Sequence, residues 1–457
     1  MTLQSKIKEV PGLLYVTDSM ELMSAAGRRR MLEQPYITQA ETLTQEQTKV
    51  SVMRQKMSDT ALVKPITHLR HQLMQLHDLR TTLHSLLSHT VLDEVELFEI
   101  KNLAHISGHA RHALADLQLE ALFPIADISE VFELLDPDHT GIPNFYIYDS
   151  YDIRLAPLRK QMKQANDSEM ADLLAQQNEI QAQVITHLCD QLYAQAKNLV
   201  NAMEQMAYID FTMAKAQLAT DWNLVEPSAQ SQPILQGLIN PRLKQHNEKA
   251  GLRYQPVDIA LTEGVTFITG ANMAGKTVLL KSVGVAQLMY QFGFPIPANC
   301  AVMQCVDDVV FCIGDDQNEM NGLSSYAAEI TRISEVIKRS KTEHLLILID
   351  EPARTTNPIE GKALVQAIAN IMQSRNSITM ITTHYSQLGI DCRRLRVRGF
   401  VETMVDMPLT AQNINRFIDY SLITDQSDEV PQEALRIAEM LECDPEMIAQ
   451  ARQFLGK

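Results

Sequence analysis

Three short apolar runs, each ending in small or charged residues, stand out in a chain patterned elsewhere as helix. Val265-Thr266-Phe267-Ile268 is β-branched and aromatic and predicts a strand. After a glycine-containing gap, Val278-Leu279-Leu280-Lys281-Ser282-Val283 resumes at helical period. His344 to Ile349 is a continuous apolar run ending in Asp350-Glu351, the pattern of a buried parallel strand that delivers acids to the carboxyl edge of a sheet. Ser377 to Thr383 predicts a third strand, with His384 at its end.

The rest reads as helix. Between Pro157 and Pro227 there is neither glycine nor proline, and apolar residues from Met170 through Leu188, Leu199 and Met206 to Met213 recur at three- and four-residue steps. This predicts one long helix or two nearly collinear ones; fifty helical residues would span about 75 Å at 1.5 Å each. The methionines among them read as a packed seam, since methionine fills irregular cores. A second helical block runs from Thr38 to Leu122, interrupted at Pro65 and Gly108. Between the blocks, Leu135 to Asp149 reads as a turn leading into a short alternating strand. Its Asp136-Pro137-Asp138-His139-Thr140-Gly141 lacks the ligands and closing glutamate of a calcium loop.

The gap after the first strand carries chemistry. Gly270-Ala271-Asn272-Met273-Ala274-Gly275-Lys276-Thr277 fits the phosphate-loop pattern G-x-x-x-x-G-K-[ST], with the strand before it and helix after it that the pattern needs. Gly270 and Gly275 would let backbone N–H groups converge on phosphate oxygens at a helix N-terminus, Lys276 would reach the terminal phosphates, and Thr277 would ligate Mg²⁺. About 75 residues on, Asp350 would hold the same Mg²⁺ and Glu351 would act as general base on the attacking water. His384 is placed to contact the γ-phosphate and sense its loss.

These segments, with Asp350-Glu351-Pro352-Ala353-Arg354-Thr355-Thr356-Asn357 and Thr383-His384-Tyr385, resemble the Walker A, Walker B with D-loop, and histidine-switch segments of the MutS family of ATPases. Gly314 to Tyr326 resembles that family's signature segment, which implies that Gly322 and Ser324 of one subunit close over the γ-phosphate held by the other. Tyr254 matches the position where the family stacks an aromatic ring on adenine. The resemblance implies an α/β ATP-binding-cassette-type P-loop NTPase domain following a mostly α-helical core and lever, with ATP and Mg²⁺ at composite sites of a homodimer or of a heterodimer with a MutS-like paralogue. The expected units are a helical core over 1–157 with a strand-containing insertion near 135–150, lever helices over 158–226, the ATPase domain over 227–410, and a helical dimerisation segment over 411–457. Departures are local: Ala271 replaces a proline, Ala274, Ala353 and Thr355 replace glycines, and Leu323 replaces an arginine. An L-residue at a position that used positive φ costs roughly 1 kcal/mol, so these loops are expected to take a different course.

Composition narrows the setting. The 457-residue chain carries a net charge of −16, with an isoelectric point near 5.3. No apolar stretch approaches the ~20 residues of a membrane helix, and Met1 to Lys6 lacks an apolar export signal, so a cytoplasmic protein is expected. Six cysteines show no C-x-x-C pair, and His187 with Cys189 reads as a helix-surface feature. Positive charge is dense only at Arg28-Arg29-Arg30 and at Arg393, Arg394, Arg396 and Arg398, both read as solvated faces, which disfavours wide nucleic-acid contact.

Because the helical core is expected to begin almost at once and only some seventy residues follow His384, neither the family's mismatch-reading domain nor an added nuclease domain is expected. Two functions follow. One is an ATPase whose helical levers remodel a bound protein, in the manner of the MutS-like ATPases that reactivate adenosylcobalamin-dependent lysine or ornithine aminomutases, which the Asp350 to Pro358 segment resembles. The alternative is an ATP-gated DNA clamp. A slow ATP-gated scaffold is a third, weaker reading.

Overall fold

The protein is described by a computed structural model that covers the chain except residues 142–143, 272–273, 315–324, 401–416, 426–434, 436–437, 440–442 and 456–457. Helices α1 (Leu3–Glu9), α2 (Pro11–Asp18), α3 (Ala25–Leu32), α4 (Ala40–Ser58), α5 (Val63–Met74), α6 (Arg80–Leu87), α7 (Glu94–Asp116), α8 (Ser129–Leu135) and α9 (Leu155–Met162) precede one long helix, α10 (Asp167–Asp221). The uninterrupted stretch is thus a single helix of 55 residues, about 82 Å at 1.5 Å per residue. Asn166 starts it: its side chain accepts from the Ser168 and Glu169 N–H groups, and Asp167 and Glu169 place negative charge in the first turn. No residue from Asp167 to Glu179 is buried, whereas every residue from Met206 to Ala216 is. The buried end is enclosed by α3 and α4. There Asp210 accepts from the Met23 and Ser24 N–H groups and the Ser24 hydroxyl, and a Cβ on Gly27 would lie 2.1 Å from its Oδ2.

The α5–α8 helices and most of α10 share one apolar core. A second core unites α1 and α2 with the sheet-bearing part of the chain: Leu3, Val10, Leu13 and Val16 cluster with Leu280, Val285 and Met289. The expected 1–157 unit therefore does not share a single core. Lys6 pairs with Asp308 at 2.8 Å, fixing α1 to the later half of the chain, and Tyr15 of α2 stacks on Trp222 at the end of α10. Residues 144–148 also depart from expectation, forming no strand. Side chains take the carbonyls that a ladder would use: Lys101 donates to Asn144 O at 2.8 Å and Arg159 to Ile147 O at 2.7 Å.

The sheets belong to the second half. Strands β1 (Ser228–Ala229), β2 (Ile234–Leu238), β3 (Val257–Ala260) and β5 (Cys300–Met303) form a four-stranded sheet in the order β1-β5-β2-β3. Strands β4 (Gly264–Thr269), β6 (Asp308–Cys312), β7 (Leu345–Ile349), β8 (Ile378–Thr382), β9 (Arg393–Phe400) and β10 (Ile418–Thr424) form a six-stranded sheet in the order β10-β9-β4-β8-β7-β6, parallel except for β10. Around the sheets lie α11 (Pro241–Lys249), α12 (Lys276–Gln291), α13 (Ser325–Arg339) and α14 (Pro358–Gln373), and α15 (Pro445–Leu455) follows. β4, β7 and β8 are buried at every residue, which accounts for the unbroken apolar run of β7 and for the β-branched and apolar residues of the other two. β8 lies between β4 and β7, with Ile268 opposite Thr382 and Ile349 opposite Ile381, so the ends of all three meet at one carboxyl edge.

The far end of α12 joins the two cores. Gln291 donates to Ile37 O and Val306 O, Gln47 of α4 donates to Phe294 O, and the buried Lys215 of α10 donates to Gly293 O at 3.3 Å. Burial pushes the Lys215 ammonium down to about 8, with Glu46 opposing the shift. Among the described residues no helix is long and apolar enough to cross a membrane.

Candidate active site

Strand β4 ends at Thr269, and the chain turns through Gly270 (φ 142) and Gly275 (φ 77) into α12. Both values lie in the left-handed half of backbone space, where glycine carries no Cβ penalty. A Cβ on Gly275 would also come within 3.1 Å of the Tyr420 ring, and one on Gly270 within 3.2 Å of Val397. Lys276 opens α12 almost fully buried; its ammonium donates to Gly270 O at 2.7 Å and Ala271 O at 3.2 Å and lies 3.4 Å from Glu351 Oε1. Ala274 is buried beneath the loop and has an ordinary backbone. Asn272, Met273, Gly322 and Ser324 lie outside the described residues.

Asp350 follows β7 and is held from two sides. Thr277 donates to its Oδ2 at 2.7 Å and Thr382, at the end of β8, donates to its Oδ1 at 2.6 Å. The same Thr382 oxygen accepts from the Glu351 N–H at 2.9 Å. Thr382 was not singled out in the sequence; its signal is the strand order, which sets β8 between the loop and the acids. Glu351 faces a cation with each oxygen: Lys276 with one, and Arg354 at 3.1 Å with the other. His384 lies beside them and is exposed. Desolvation lowers its pKa below the usual 6.5; Glu351 opposes this, while Arg354 and Lys276 reinforce it, so the imidazole is neutral at pH 7.

In the loop after Asp350, Glu351 (φ 43) and Ala353 (φ 59) both take left-handed backbone, so Ala353, an L-residue, bears a strain of roughly 1 kcal/mol.

Beside the loop opens a cavity of about 190 Å³, bordered by Tyr254, Gly275, Val278, Leu279, Asn247 and Tyr420. The Tyr254 hydroxyl accepts from the Asn240 N–H at 2.7 Å, which fixes the ring, and Gln255 binds both Asp419 and the Tyr420 N–H, which fixes β10 against the loop. The cavity is mostly apolar and borders the first turn of α12, the chemistry a nucleobase needs when its phosphates lie on the loop. Tyr420 too escaped the sequence reading, because β10 lies beyond the recognisable segments.

Other candidates fall elsewhere. Arg393 and Arg394 donate to Ala260 O and Ile390 O, Arg398 pairs with Asp419, and Arg29 pairs with Glu33, Asp78 and Glu204, so neither arginine group is the simple solvated face expected. His187 lies on the exposed face of α10, bonded to Gln191, while Cys189 is buried. All six cysteines are free, and no cluster of three metal-ligating residues occurs among the described residues.

Residues 266–457 match the family model MutS domain V. Over 227 residues the chain is 34% identical to the protein named Endonuclease MutS2 of Agathobacter rectalis, covering 49% of this chain and 28% of the relative. A protein of the same name from Thermus thermophilus is 34% identical over 197 residues, 43% of this chain and 25% of the relative, and one from Thermomicrobium roseum is 32% identical over 272 residues, 57% and 33%. The chain thus spans about a quarter to a third of the length of these curated relatives. Taken with the phosphate loop, the paired acids and the strand order, the match shows that residues 266–457 are similar to the P-loop ATPase domain of the MutS family.

Proposed function

We propose that this protein hydrolyses ATP at the carboxyl edge of the six-stranded sheet and uses closure of that site to move the helical region against a bound macromolecule. The observation that carries this reading is the convergence of Lys276, Thr277, Asp350, Glu351 and His384 on one edge, beside a cavity of nucleobase character. The triphosphate lies along the loop from Gly270 to Thr277, with Lys276 on its terminal oxygens and the base against Tyr254. Glu351 takes a proton from a water, the water oxygen bonds to the γ-phosphorus, and the bond to the β-phosphate oxygen breaks, leaving ADP and phosphate. His384, neutral and adjacent, donates to or accepts from the γ-phosphate group.

The donor set fits Mg²⁺, which prefers one or two oxygen ligands from protein with the rest from phosphates and water; the Thr277 hydroxyl and Asp350 carboxylate would supply them. When bound, the ion neutralises charge on the β- and γ-phosphates. Gly322 and Ser324 are assigned to the site of a second subunit, with residues 411–457 contributing to the dimer.

Helix α12 is about 24 Å long, starting at Lys276 and ending just before Gly293 and Phe294 meet α10 and α4. A tilt at the phosphate end is thereby passed to the buried base of α10, whose exposed end lies far away. We take a cytoplasmic protein as the target. The net charge of −16 and the internal partners of both arginine groups support it, and an adenosylcobalamin-dependent aminomutase is the partner suggested by residues 350–358. The naming of the relatives as endonucleases favours DNA as a second reading.

Steady-state hydrolysis by the wild type and Glu351→Gln tests the first step. Glu351→Gln should bind ATP and lose on the order of 100-fold or more in kcat; equal turnover would remove the assignment. Anisotropy of labelled duplex and branched DNA against Glu351→Gln with ATP, at two salt concentrations, separates the targets. Structure-selective binding that weakens with salt supports DNA, and none at low salt supports a protein.

A further inference from the structure

Ala353 is fully buried, is not a glycine, and holds φ 59 two residues after Glu351. Side chains from two other elements grip both of its backbone polar groups. Its N–H donates to Glu329 Oε1 of α13 at 3.1 Å, and its carbonyl accepts from the Tyr385 hydroxyl at 3.2 Å, just beyond β8. The room for that hydroxyl comes from α14, where a Cβ on Gly361 would stand 2.2 Å from it and 2.9 Å from Ala353 O. Burial raises the Glu329 carboxyl above its usual value, opposed by the hydrogen bond from Ala353. A strained residue with both polar groups held by converging side chains is over-determined by its surroundings, the condition under which such a conformation persists.

We propose that Glu329 and Tyr385 are positioning residues that latch Ala353 in its left-handed conformation and so hold the Glu351 carboxylate on its water, tying the general base to α13. The inference rests on the ATPase reading above. Neither residue reaches the cavity that takes the base or the loop that takes the phosphates, so the latch governs turnover without governing affinity. An error of about 1 Å at a general base is enough to cost on the order of 10- to 100-fold in rate.

The test compares Tyr385→Phe, Glu329→Ala and Glu329→Gln with the wild type and Glu351→Gln in steady-state ATP hydrolysis, with thermal melting alongside. Tyr385→Phe and Glu329→Ala should each lower kcat about tenfold while KM for ATP stays within about twofold. Glu329→Gln should keep near-wild-type turnover, because its amide oxygen still accepts from the Ala353 N–H. Melting temperatures that fall with kcat unchanged would make the contacts merely structural and overturn the proposal. Equal losses in Glu329→Gln and Glu329→Ala would also overturn it, since charge and not hydrogen bonding would then be the cause. Should Tyr385→Phe fail to fold, the two Glu329 variants decide alone. Absence of wild-type hydrolysis would remove the ATPase reading and the latch with it, whereas hydrolysis that Glu351→Gln abolishes and the latch variants leave intact removes the latch only.

Discussion

Two buried lysines, one in each half of the molecule, show what separates a structural ion pair from one in a working site. Lys101, with no exposed surface, donates to Asp136 at 3.0 Å, Asn144 O at 2.8 Å and the Tyr148 hydroxyl at 3.1 Å. Its partner is equally committed. Burial works against ionisation of Asp136, but hydrogen bonds from Thr140, the Gly141 N–H and Lys101 hold it down to about 2. Lys276 is nearly as buried, yet two of its partners are carbonyls of a loop that turns through positive-φ glycines, and the third, Glu351, is shared with the exposed Arg354. The first pair closes on itself and pins a turn. The second holds its ammonium against the carbonyls of the phosphate loop, partners that an anion can replace.

The comparison breaks most visibly at Lys101. Lys101→Ala should cost about 3–5 kcal/mol in chemical denaturation by leaving Asp136 buried without its counter-ion, with nucleotide affinity of the folded fraction unchanged. Lys276→Ala should do the reverse: the denaturation midpoint hardly moves, while ATP binding, read by calorimetry, weakens by roughly 1.5–3 kcal/mol, about 10- to 150-fold. If both variants lose stability alike, the distinction fails. Tyr254→Ala should lower ATP affinity by roughly 1 kcal/mol, about fivefold, through lost stacking, and Tyr254→Phe should recover most of it.

Acid gives the smallest effect. Desolvation lowers the pKa of His384 in the site and of His105 and His109 on α7 below 6.5, aided at His105 by His109 and Lys101 and at His109 by His68 and His112. Between each folded value and 6.5 the unfolded chain holds a proton that the folded chain lacks, so stability is complete above about 6.5 and declines as pH falls through that window. Denaturation at several pH values should show this slope, and His105→Gln with His109→Gln should flatten it.

Much of the site was legible because strand, loop and helix signals coincided within a few residues at Val265 to Val283, and because Leu345 to Ile349 could be nothing but a buried run. The long helix was legible from the absence of glycine and proline. What escaped were contacts made across the sheet order. Thr382 matters because β8 lies between β4 and β7, and Tyr420 because an antiparallel strand returns beside the phosphate loop. The alternation at residues 144–148 misled because Lys101 and Arg159, which lie outside it, take the carbonyls of a would-be strand. The grip on Ala353 was equally hidden, because Glu329 and Tyr385 reach it from other elements.

The packing of α1 and α2 on α12 bears on how the chain acquires its structure during synthesis. Gly12 lies against Val285, and Leu3 and Leu13 share a core with Leu280 and Met289. At about 5–20 residues per second, a ribosome needs roughly 15–60 s to make the ~270 residues that separate these surfaces. For that interval the faces of the early helices that pack on α12 lack that partner, while the helical bundle can assemble from nearer neighbours. The ATPase half therefore closes over a segment made long before it, and a pause in translation anywhere in between prolongs the exposure of Leu3, Val10, Leu13 and Val16 to chaperones and to one another.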